Sequence, residues 1–367
     1  MRVKLEDVCE KGSSNLKQSD VVNLTGEYPI YGAAGYIGNV DFYHQEKPYV
    51  AIVKDGAGIG RTTLHPAKSS VIGTMQYLLP KDNVLPEYLC YVVRHMHLEK
   101  YFTGATIPHI YFRDYKNEKF NLASLDKQAE IVGILKKAES VILKRRQQLT
   151  ELDNLIKARF VEMFGDMLLN EMGWQEVHLD ALADVVSGIT KGRKVREAEL
   201  IEVPYMAVSN VKDGYIDWTT VKTIMATKQE IEQYRLLPYD VLMTEGGDPD
   251  KLGRGAVIAA PLENSIHQNH IFRVRLQLEK ILPVFFSQYL QNPKAKQYFL
   301  GCAKQTTGIA SINMKQLRSL PVLVPPIELQ EQFAAFVEQV DKSKVVVQNA
   351  LDEAQTLFDS LMQEYFG

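Results

Sequence analysis

The sequence predicts two mixed α/β domains, each followed by one long helix. Residues 124–165 and 326–367 align without a gap at a constant offset of 202 residues, and neither segment has an internal proline. The regions before them contain short runs rich in Val, Ile, Tyr and Phe that Gly and Pro interrupt, which is typical of strands. A chain of 367 residues also exceeds the usual size of one core. The predicted segments are 1–123, 124–170, 171–325 and 326–367.

The first domain, 1–123, has its clearest strand patterns at 48–54 and 71–79. The stretch 56–62, Gly-Ala-Gly-Ile-Gly-Arg-Thr, lacks both the spacing and the lysine of a phosphate-binding loop. We interpret it as a tight turn between strands, and nucleotide binding is the alternative. Pro86 suits the first turn of an amphipathic helix, because proline needs no hydrogen-bond donor there.

The first long helix, 124–170, has apolar residues at alternating spacings of four and three, as in a helix that packs against another helix. About 40 residues at about 1.5 Å each form a rod of roughly 60 Å. A pair of core helices and a homodimerising coiled coil would both explain this stripe. The predicted packing residues are Ile131, Leu135, Ala138, Ile142, Leu149, Leu152, Ile156 and Met163 in the first helix and Phe333, Val337, Val340, Leu351, Ala354, Phe358, Leu361 and Tyr365 in the second.

The second domain, 171–325, repeats the order of the first, with Pro283 at a predicted helix start. Its predicted strands are 240–244, 254–259 and 270–276. It is longer than the first domain, mainly through residues 202–235. The Gly-rich stretch 246–255 resembles the acidic centre of a nuclease, but no Glu-x-Lys motif follows it. We therefore interpret it as a solvated turn.

The second long helix, 326–367, carries most of the acidity of the chain. Lys and Arg number 14 against 13 Asp and Glu in 1–123, 8 against 7 in 124–170, 18 against 17 in 171–325 and 2 against 8 in 326–367. Both domains are thus close to neutral, although the formal net charge is −3. This distribution permits a nucleic-acid partner without indicating one.

No catalytic or metal site is expected in this chain. Cys9, Cys90 and Cys302 lie far apart and form no CxxC pair, so we expect reduced structural thiols. The eight histidines form no pattern typical of metal ligands or of a catalytic triad. The pair Pro325-Pro326 lacks the flanking residues with which a DNA methyltransferase holds a flipped base.

Membrane insertion and export are not expected either. No apolar run approaches the roughly 20 residues that span a bilayer. The N-terminal segment is charged from its second residue and lacks the apolar core of a signal peptide. We therefore expect a cytoplasmic protein.

The starts of both long helices suggest a family. Residues 125–131 and 327–333 each contain a glutamine at the same place, apolar strands precede both segments, and both helices end in Phe-Gly. Across its full length the chain resembles the specificity subunit of type I restriction-modification systems. The resemblance implies a pseudo-twofold fold in which two long antiparallel helices, an intramolecular coiled coil, separate two target-recognition domains.

The resemblance also implies the function and the partners. Each domain would read one half of a bipartite site in double-stranded DNA, and the site would be asymmetric because the two domains differ. Two methyltransferase subunits, which bind S-adenosylmethionine, would dock on the paired helices, and a restriction and translocase subunit would join them. The chain itself would be non-catalytic and hold no cofactor. A coiled-coil scaffold with two protein-binding domains and no DNA contact is the alternative.

Candidate DNA-binding residues follow from the chemistry of readout, in which Arg, Lys, Asn and Gln contact base edges while hydroxyl groups contact phosphates. For each of them a solvated surface role is the alternative. In the first domain they are Lys54, Arg61, Thr62, His109, Tyr111 and Arg113. In the second domain they are Thr190, Lys191, Arg193, Lys194, Asn210, Arg254, Gln268, Asn269, Thr306 and Thr307. The basic loop 190–196 is the densest group.

Overall fold

Short strands, short helices and two 40-residue helices make up the described part of the chain. The structure is a computed structural model that describes residues 1–21, 23–103, 108–193, 199–248, 252–306 and 309–367. Two compact units result: unit 1 comprises Met1–Gln148 and Val347–Gly367, and unit 2 comprises Leu149–Val346. The boundaries between the compact units thus lie inside the long helices, whereas the sequence repeat predicts domain boundaries near the helix starts.

The first half of the chain ends with the first long helix. Its elements are β1 (Arg2–Lys4), α1 (Leu5–Val8), β2 (Cys9–Ser13), α2 (Gln18–Val21), β3 (Tyr28–Gly32), β4 (Gly35–Val40), β5 (Tyr49–Val53), β6 (Thr62–His65), β7 (Ser70–Val71), β8 (Met75–Pro80), α3 (Pro86–His95), a 3₁₀ turn (Leu98–Tyr101), α4 (Phe112–Tyr115), β9 (Lys119–Asn121) and α5 (Leu125–Phe164). As predicted, Pro86 begins a helix.

The second half follows the same order. Its elements are β10 (Gln175–His178), a 3₁₀ turn (Leu179–Ala181), β11 (Ala183–Ser187), β12 (Leu200–Met206), a 3₁₀ turn (Val208–Asn210), β13 (Lys222–Thr227), α6 (Lys228–Tyr234), β14 (Val241–Thr244), β15 (Gly246–Gly247), β16 (Gly255–Val257), β17 (Ile266–His267), β18 (Ile271–Leu276), α7 (Pro283–Gln291), α8 (Pro293–Cys302), β19 (Lys304–Thr306), β20 (Ile309–Ser311), α9 (Met314–Arg318), β21 (Pro321–Val324) and α10 (Ile327–Phe366). No helix in the described part of the chain is long and apolar enough to cross a membrane.

The two halves have the same strand order in three sheets, and the described residues of the second half add a fourth sheet, β15-β20-β19. A four-stranded antiparallel sheet has the order β2-β8-β5-β6 in unit 1 and β11-β18-β14-β16 in unit 2. A three-stranded sheet has the order β4-β3-β7 or β13-β12-β17, with one parallel pair in each. The first strand of each half pairs with the last one before the long helix. The predicted mixed α/β architecture is confirmed in both halves, and each half contains several small sheets.

The predicted strand at 71–79 is wrong in one respect, because β7 ends at Val71 and β8 begins at Met75. Between them the backbone nitrogen of Gly73 donates to the carbonyl oxygen of Leu16 at 2.7 Å. A Cβ atom at Gly73 would lie 3.1 Å from the Ser14 oxygen. This close approach of two backbones turns the chain from one sheet into the other.

Each unit packs the beginning of one long helix against the end of the other. In unit 1, Ile131 and Leu135 of α5 share a core with Met362 and Phe366 of α10. In unit 2, Phe160 of α5 and Phe333 of α10 meet with ring centroids 5.5 Å apart. The two helices therefore run antiparallel, as the resemblance implied. Gly165 ends α5 with φ +76°, and its nitrogen donates to the carbonyl of Val161.

The helix starts are fixed by two fully buried glutamines. Gln128 accepts a hydrogen bond from the Leu85 nitrogen at 2.8 Å and donates to the carbonyls of Asn83 and Ala123. Gln330 accepts from the Leu282 nitrogen at 2.9 Å and donates to the carbonyls of Lys280 and Pro325. Each buried side-chain amide thus makes three hydrogen bonds to the backbone around the helix start, which explains the glutamine shared by the two helices.

Candidate nucleic-acid interface

The candidate surface of unit 1 lies where β5 ends. The Val53 nitrogen donates to the carbonyl of Arg61 at 2.9 Å, which closes the glycine turn, and its glycines have positive φ. The predicted tight turn is confirmed. The nitrogen of Ile110 donates to the carbonyl of Lys54 at 3.0 Å and thereby joins residues 108–111 to the turn. Lys54, His109 and Tyr111 are in this way brought to one surface.

Asp55, a carboxylate that the sequence did not predict, lies between the basic side chains of Lys54 and His109 on this surface. Asp55 accepts from the ammonium of Lys54 at 2.5 Å and contacts Nδ1 of His109. Burial lowers the pKa of Lys54, and burial together with the Lys54 charge lowers the pKa of His109. Lys54 and His109 therefore each have a partner within the protein, Asp55, in the absence of a ligand.

Tyr111 and Arg113 extend the surface outwards. The Arg113 guanidinium lies over the Tyr111 ring at 4.7 Å from its centroid, and the rings of Tyr111 and His109 are 4.2 Å apart. The Arg113 side chain is 76% exposed. An exposed guanidinium placed over an aromatic ring can reach a phosphate or stack on a base.

Arg61 and Thr62 differ in availability. Arg61 is exposed and donates to the carbonyl of Ala33 at 3.2 Å through one of its nitrogens. Thr62 is buried, and its hydroxyl donates to the carbonyl of Gly60 at 3.1 Å. Because its hydroxyl lies inside the turn, Thr62 does not face a ligand, and we correct its predicted role to a structural one.

The candidate surface of unit 2 gathers four segments at the end of β14. The Glu245 nitrogen donates to the carbonyl of His270, and the Ile312 nitrogen donates to the carbonyl of Glu245, at 3.0 and 2.9 Å. The Asn269 nitrogen donates to the carbonyl of Ile189, which joins the segment just before the basic loop to residues 268–270. The residues predicted around 190, 268 and 306 therefore belong to one continuous part of the unit.

A cleft of about 570 Å³ opens on this surface. Its lining residues are Val208, Glu245, Gly246, Gly247, Asp248, His270 and Ser311. Oε2 of Glu245 lies 2.6 Å from Nδ1 of His270. Neither Asp55 nor Glu245 is among the sequence-predicted residues, because the predicted base contacts are donors and amides. A carboxylate directly before a glycine near the end of a predicted strand is the signal that both share.

The Gly-rich stretch at 246–255 is not simply the solvated turn that the sequence predicted. Gly246–Gly247 forms β15, which pairs with β20. A Cβ atom at Gly246 would lie 2.8 Å from the Ala310 oxygen, so the approach of the two strands requires glycine. In unit 1 the matching contact is a single bridge between Asp55 and His109.

Arg193 serves the fold of unit 2. Its guanidinium donates to both Glu230 oxygens at 2.5 and 2.6 Å and to the carbonyl of Met225 at 3.1 Å. These hydrogen bonds, with those from Thr227, lower the pKa of Glu230 to about 2. Thr227 and Glu230 form the capping box of α6, so Arg193 stabilises a helix start and has little left for a base edge.

Asn210 is likewise a structural residue. It is fully buried, its Oδ1 accepts from the Ala207 nitrogen at 2.9 Å, and its Nδ2 donates to the carbonyl of Asp217 at 2.9 Å. Because its amide is used inside the protein, the predicted base contact of Asn210 does not fit the structure, and we correct it.

The other candidates of unit 2 differ in exposure. Thr190 and Lys191 are exposed, whereas Arg254, Gln268 and Asn269 are half-buried. Thr306 contributes its backbone to β19. Lys194 and Thr307 lie outside the described residues. Within the described ranges no three His, Cys, Asp or Glu side chains form a group that could hold a metal ion.

The long helices form a second candidate surface. The predicted packing residues that are buried are Ile131, Leu135, Ile142, Ile156, Met163, Phe333, Val337 and Val340, and those that are half-buried are Ala138, Leu149, Leu152, Leu351, Ala354, Phe358, Leu361 and Tyr365. Other apolar side chains of the helices are exposed, among them Val141, Leu143, Leu155, Val161, Val345, Val346 and Leu357. These exposed apolar side chains make the helices a candidate surface for binding another protein.

The family model described as type I restriction modification DNA specificity domain matches the chain twice, at residues 1–154 and 171–354. Over 187 residues the chain is 26% identical to the putative type I restriction enzyme MjaX specificity subunit of Methanocaldococcus jannaschii, covering 50% of this chain and 44% of the relative. Over 169 residues it is 26% identical to the type I restriction enzyme EcoKI specificity subunit of Escherichia coli K12, covering 44% and 36%. These matches span less than half the length of either relative.

Two solved structures have a similar fold. The chain aligns over 100% of its length with 96% of the S subunit of the type I restriction-modification system of M. genitalium, with a TM-score of 0.59 at 14% identity. It aligns equally completely with 97% of a chain from a structure on complex assembly and conformational transition of the type I R-M system, with a TM-score of 0.55 at 15% identity. At such identities the likeness concerns the fold.

Proposed function

The chain belongs to the family of type I restriction-modification DNA specificity domains, and we propose that it is the non-catalytic subunit that selects the DNA sequence for a type I restriction-modification enzyme. The observation that carries this proposal is the repeated topology with two different surfaces. The two glycine-rich segments follow equivalent strands of equivalent sheets, yet Lys54 and Asp55 begin one and Glu245 begins the other. Two units with the same backbone arrangement and different surface side chains are suited to recognising two different DNA sequences.

Each unit, in this proposal, reads one half of an asymmetric bipartite site in double-stranded DNA. Arg61 and Arg113 in unit 1 and Lys191 in unit 2 offer exposed positive groups to phosphates. Lys54, Glu245, Gln268 and Asn269 offer donors and acceptors of the kind that read base edges. Near-neutral units then favour a modest electrostatic contribution to binding.

The paired helices dock two methyltransferase subunits, which bind S-adenosylmethionine, and a restriction and translocase subunit completes the enzyme. The exposed apolar side chains of the helices support this assignment, because an isolated chain gains nothing from presenting them to water. Val345 and Val346 are 60% and 68% exposed and follow each other on the most acidic helix.

Methylation of random DNA tests the proposal. The purified chain and its methyltransferase partner are incubated with a pool of random duplexes, and modified adenines are located by sequencing. One split motif that disappears when this chain is omitted is the expected result. Methylation without a motif, or a motif that does not depend on this chain, would contradict sequence selection and favour a scaffold without DNA contact.

An insertion tests the helices as the element that sets the gap between half-sites. We propose adding seven residues, about two helical turns or roughly 10 Å, after Gln148 in α5 and again after Val346 in α10, where the compact units divide. The gap is expected to grow by about three base pairs at roughly 3.4 Å each, with both half-sites unchanged. A changed half-site with an unchanged gap would contradict this role.

A further inference from the structure

Lys54 and Glu245 occupy the same position of the two repeated frames. Each directly follows the corresponding strand, β5 or β14. The carbonyl of Lys54 accepts from Ile110 and that of Glu245 from Ile312, at 3.0 and 2.9 Å. Their nitrogens donate to the residue before β8, Thr74, and to the residue before β18, His270, each at 3.0 Å. The backbone hydrogen bonds are therefore the same, and only the side chain has changed.

That change reverses the charge while the position stays accessible. The side chain of Lys54 is 24% exposed and that of Glu245 is 33% exposed. The Lys54 ammonium uses one hydrogen bond on Asp55 and keeps further donors, and the Glu245 carboxylate uses one oxygen on His270 and keeps further acceptor capacity. Glu245 also lines the cleft next to two glycines that leave room beside it.

We propose that Lys54 and Glu245 are the specificity-determining residues at equivalent places of the two half-sites, an inference that rests on the proposed function. Lys54 donates to the O6 and N7 acceptors of a guanine, and Glu245 accepts from the N4 amino group of a cytosine. One position of the fold thus selects opposite hydrogen-bonding groups in the two halves of the site.

Arg61 and Arg254 provide the contrast. They close the two glycine turns at equivalent places, since their carbonyls accept from Val53 and from Thr244 at 2.9 and 3.2 Å. Here both repeats carry the same side chain. A group that is the same in both units cannot account for a difference between the two half-sites, so we assign these arginines to phosphates and use them as controls.

The test is a selection experiment with the full chain on randomised duplex DNA. Wild-type protein is expected to enrich one split motif. K54E should change the preferred base at one position of one half, and E245K should change it at one position of the other half, each by roughly 5-fold or more in relative affinity. E245Q should shift the same position from cytosine toward adenine, because an amide pairs with N6 and N7 of adenine. R61A and R254A should weaken binding with the motif unchanged.

The outcomes are distinct. If wild-type protein enriches no motif, the proposed function fails, and this inference fails with it. If wild-type protein enriches a motif that K54E, E245K and E245Q all leave intact, the inference alone is overturned, as it is when these variants only weaken binding like the arginine controls. Circular dichroism verifies folding of each variant, and K54Q replaces K54E if that protein does not fold.

Discussion

Unit 1 and unit 2 share a buried glutamine at the start of a long helix and differ in the side chain at the end of the matching strand. Gln128 and Gln330 make the same three hydrogen bonds in the two units, and both are fully buried. The strand-end positions, by contrast, carry Lys54 in one unit and Glu245 in the other. A duplicated frame keeps what its backbone requires and is free to vary what its surface presents. The predictions below test how far this holds.

The largest expected difference concerns the aromatic ends of the helices. Phe164 packs against Phe160, Phe285 and Phe333 in unit 2, with centroids 4.9 to 5.5 Å apart. F164A should lower the free energy of unfolding of unit 2 by about 3 to 5 kcal/mol through the cavity it leaves. Hydrogen exchange of the amides in α7 measures this loss.

The equivalent substitution in unit 1, F366A, should cost less, because Phe366 is 8% exposed and has one close ring neighbour in the core, Tyr88. Faster exchange in α3 for F366A, by a smaller factor than F164A causes in α7, is the expected pattern. An equal loss in both units would mean that the two ends are packed alike.

The buried glutamines should show no such asymmetry. Q128A and Q330A each remove three hydrogen bonds between a buried amide and the backbone, and each should cost about 2 to 3 kcal/mol. Denaturant unfolding followed separately in the two units measures both. Q332A, which removes an exposed side chain on α10, is the control and should cost less than about 0.5 kcal/mol. A twofold difference between the first two variants would break the comparison.

The ion pair between Arg193 and Glu230 belongs to unit 2 and gives that unit its own pH dependence. Because the pKa of Glu230 is lowered to about 2, its stabilisation is complete above its ordinary value of 4.5 and is lost as the pH falls through about 2. E230Q should cost about 1 to 2 kcal/mol at neutral pH and reduce the loss on acidification. Unfolding of unit 2 between pH 2 and about 6 checks it, and an unchanged pH profile would argue against the pair.

The smallest effect separates two basic residues of one loop. Lys191 is exposed, so K191A should weaken DNA binding only a few-fold and lower the slope of log affinity against log salt by about 1. R193A should leave that slope unchanged and destabilise α6, since Arg193 is held by Glu230. Binding titrations at several salt concentrations measure both. A lower slope for R193A would return Arg193 to the DNA-binding residues.

The helices and strands followed closely from the sequence, because their signals are local and repeated. The aligned segments predicted both long helices, observed at Leu125–Phe164 and Ile327–Phe366. Residues 48–54 correspond to β5, one residue shorter at each end. The break in 71–79 could not be predicted, because it depends on Gly73 meeting Leu16, far away in the sequence.

The candidate site was harder to predict, since availability depends on distant partners. The sequence shows Arg193 only as a residue of a basic loop, whereas the fold places Glu230, on another element, beside it. Asn210 reads as a base reader until its amide is found inside a turn. Residue type indicates what a side chain can bind, but only the fold shows whether another group of the protein already binds it.

The division of the helices between the units bears on synthesis of the chain. Val347–Gly367 belongs to unit 1, and Phe366 there contacts Tyr88. Residues 1–148 leave the ribosome long before residues 347–367. The apolar groups around α3 therefore stay uncovered while all of unit 2 is translated. The unit whose synthesis begins first is thus completed last, and during that interval its uncovered apolar groups are open to aggregation or to chaperone binding.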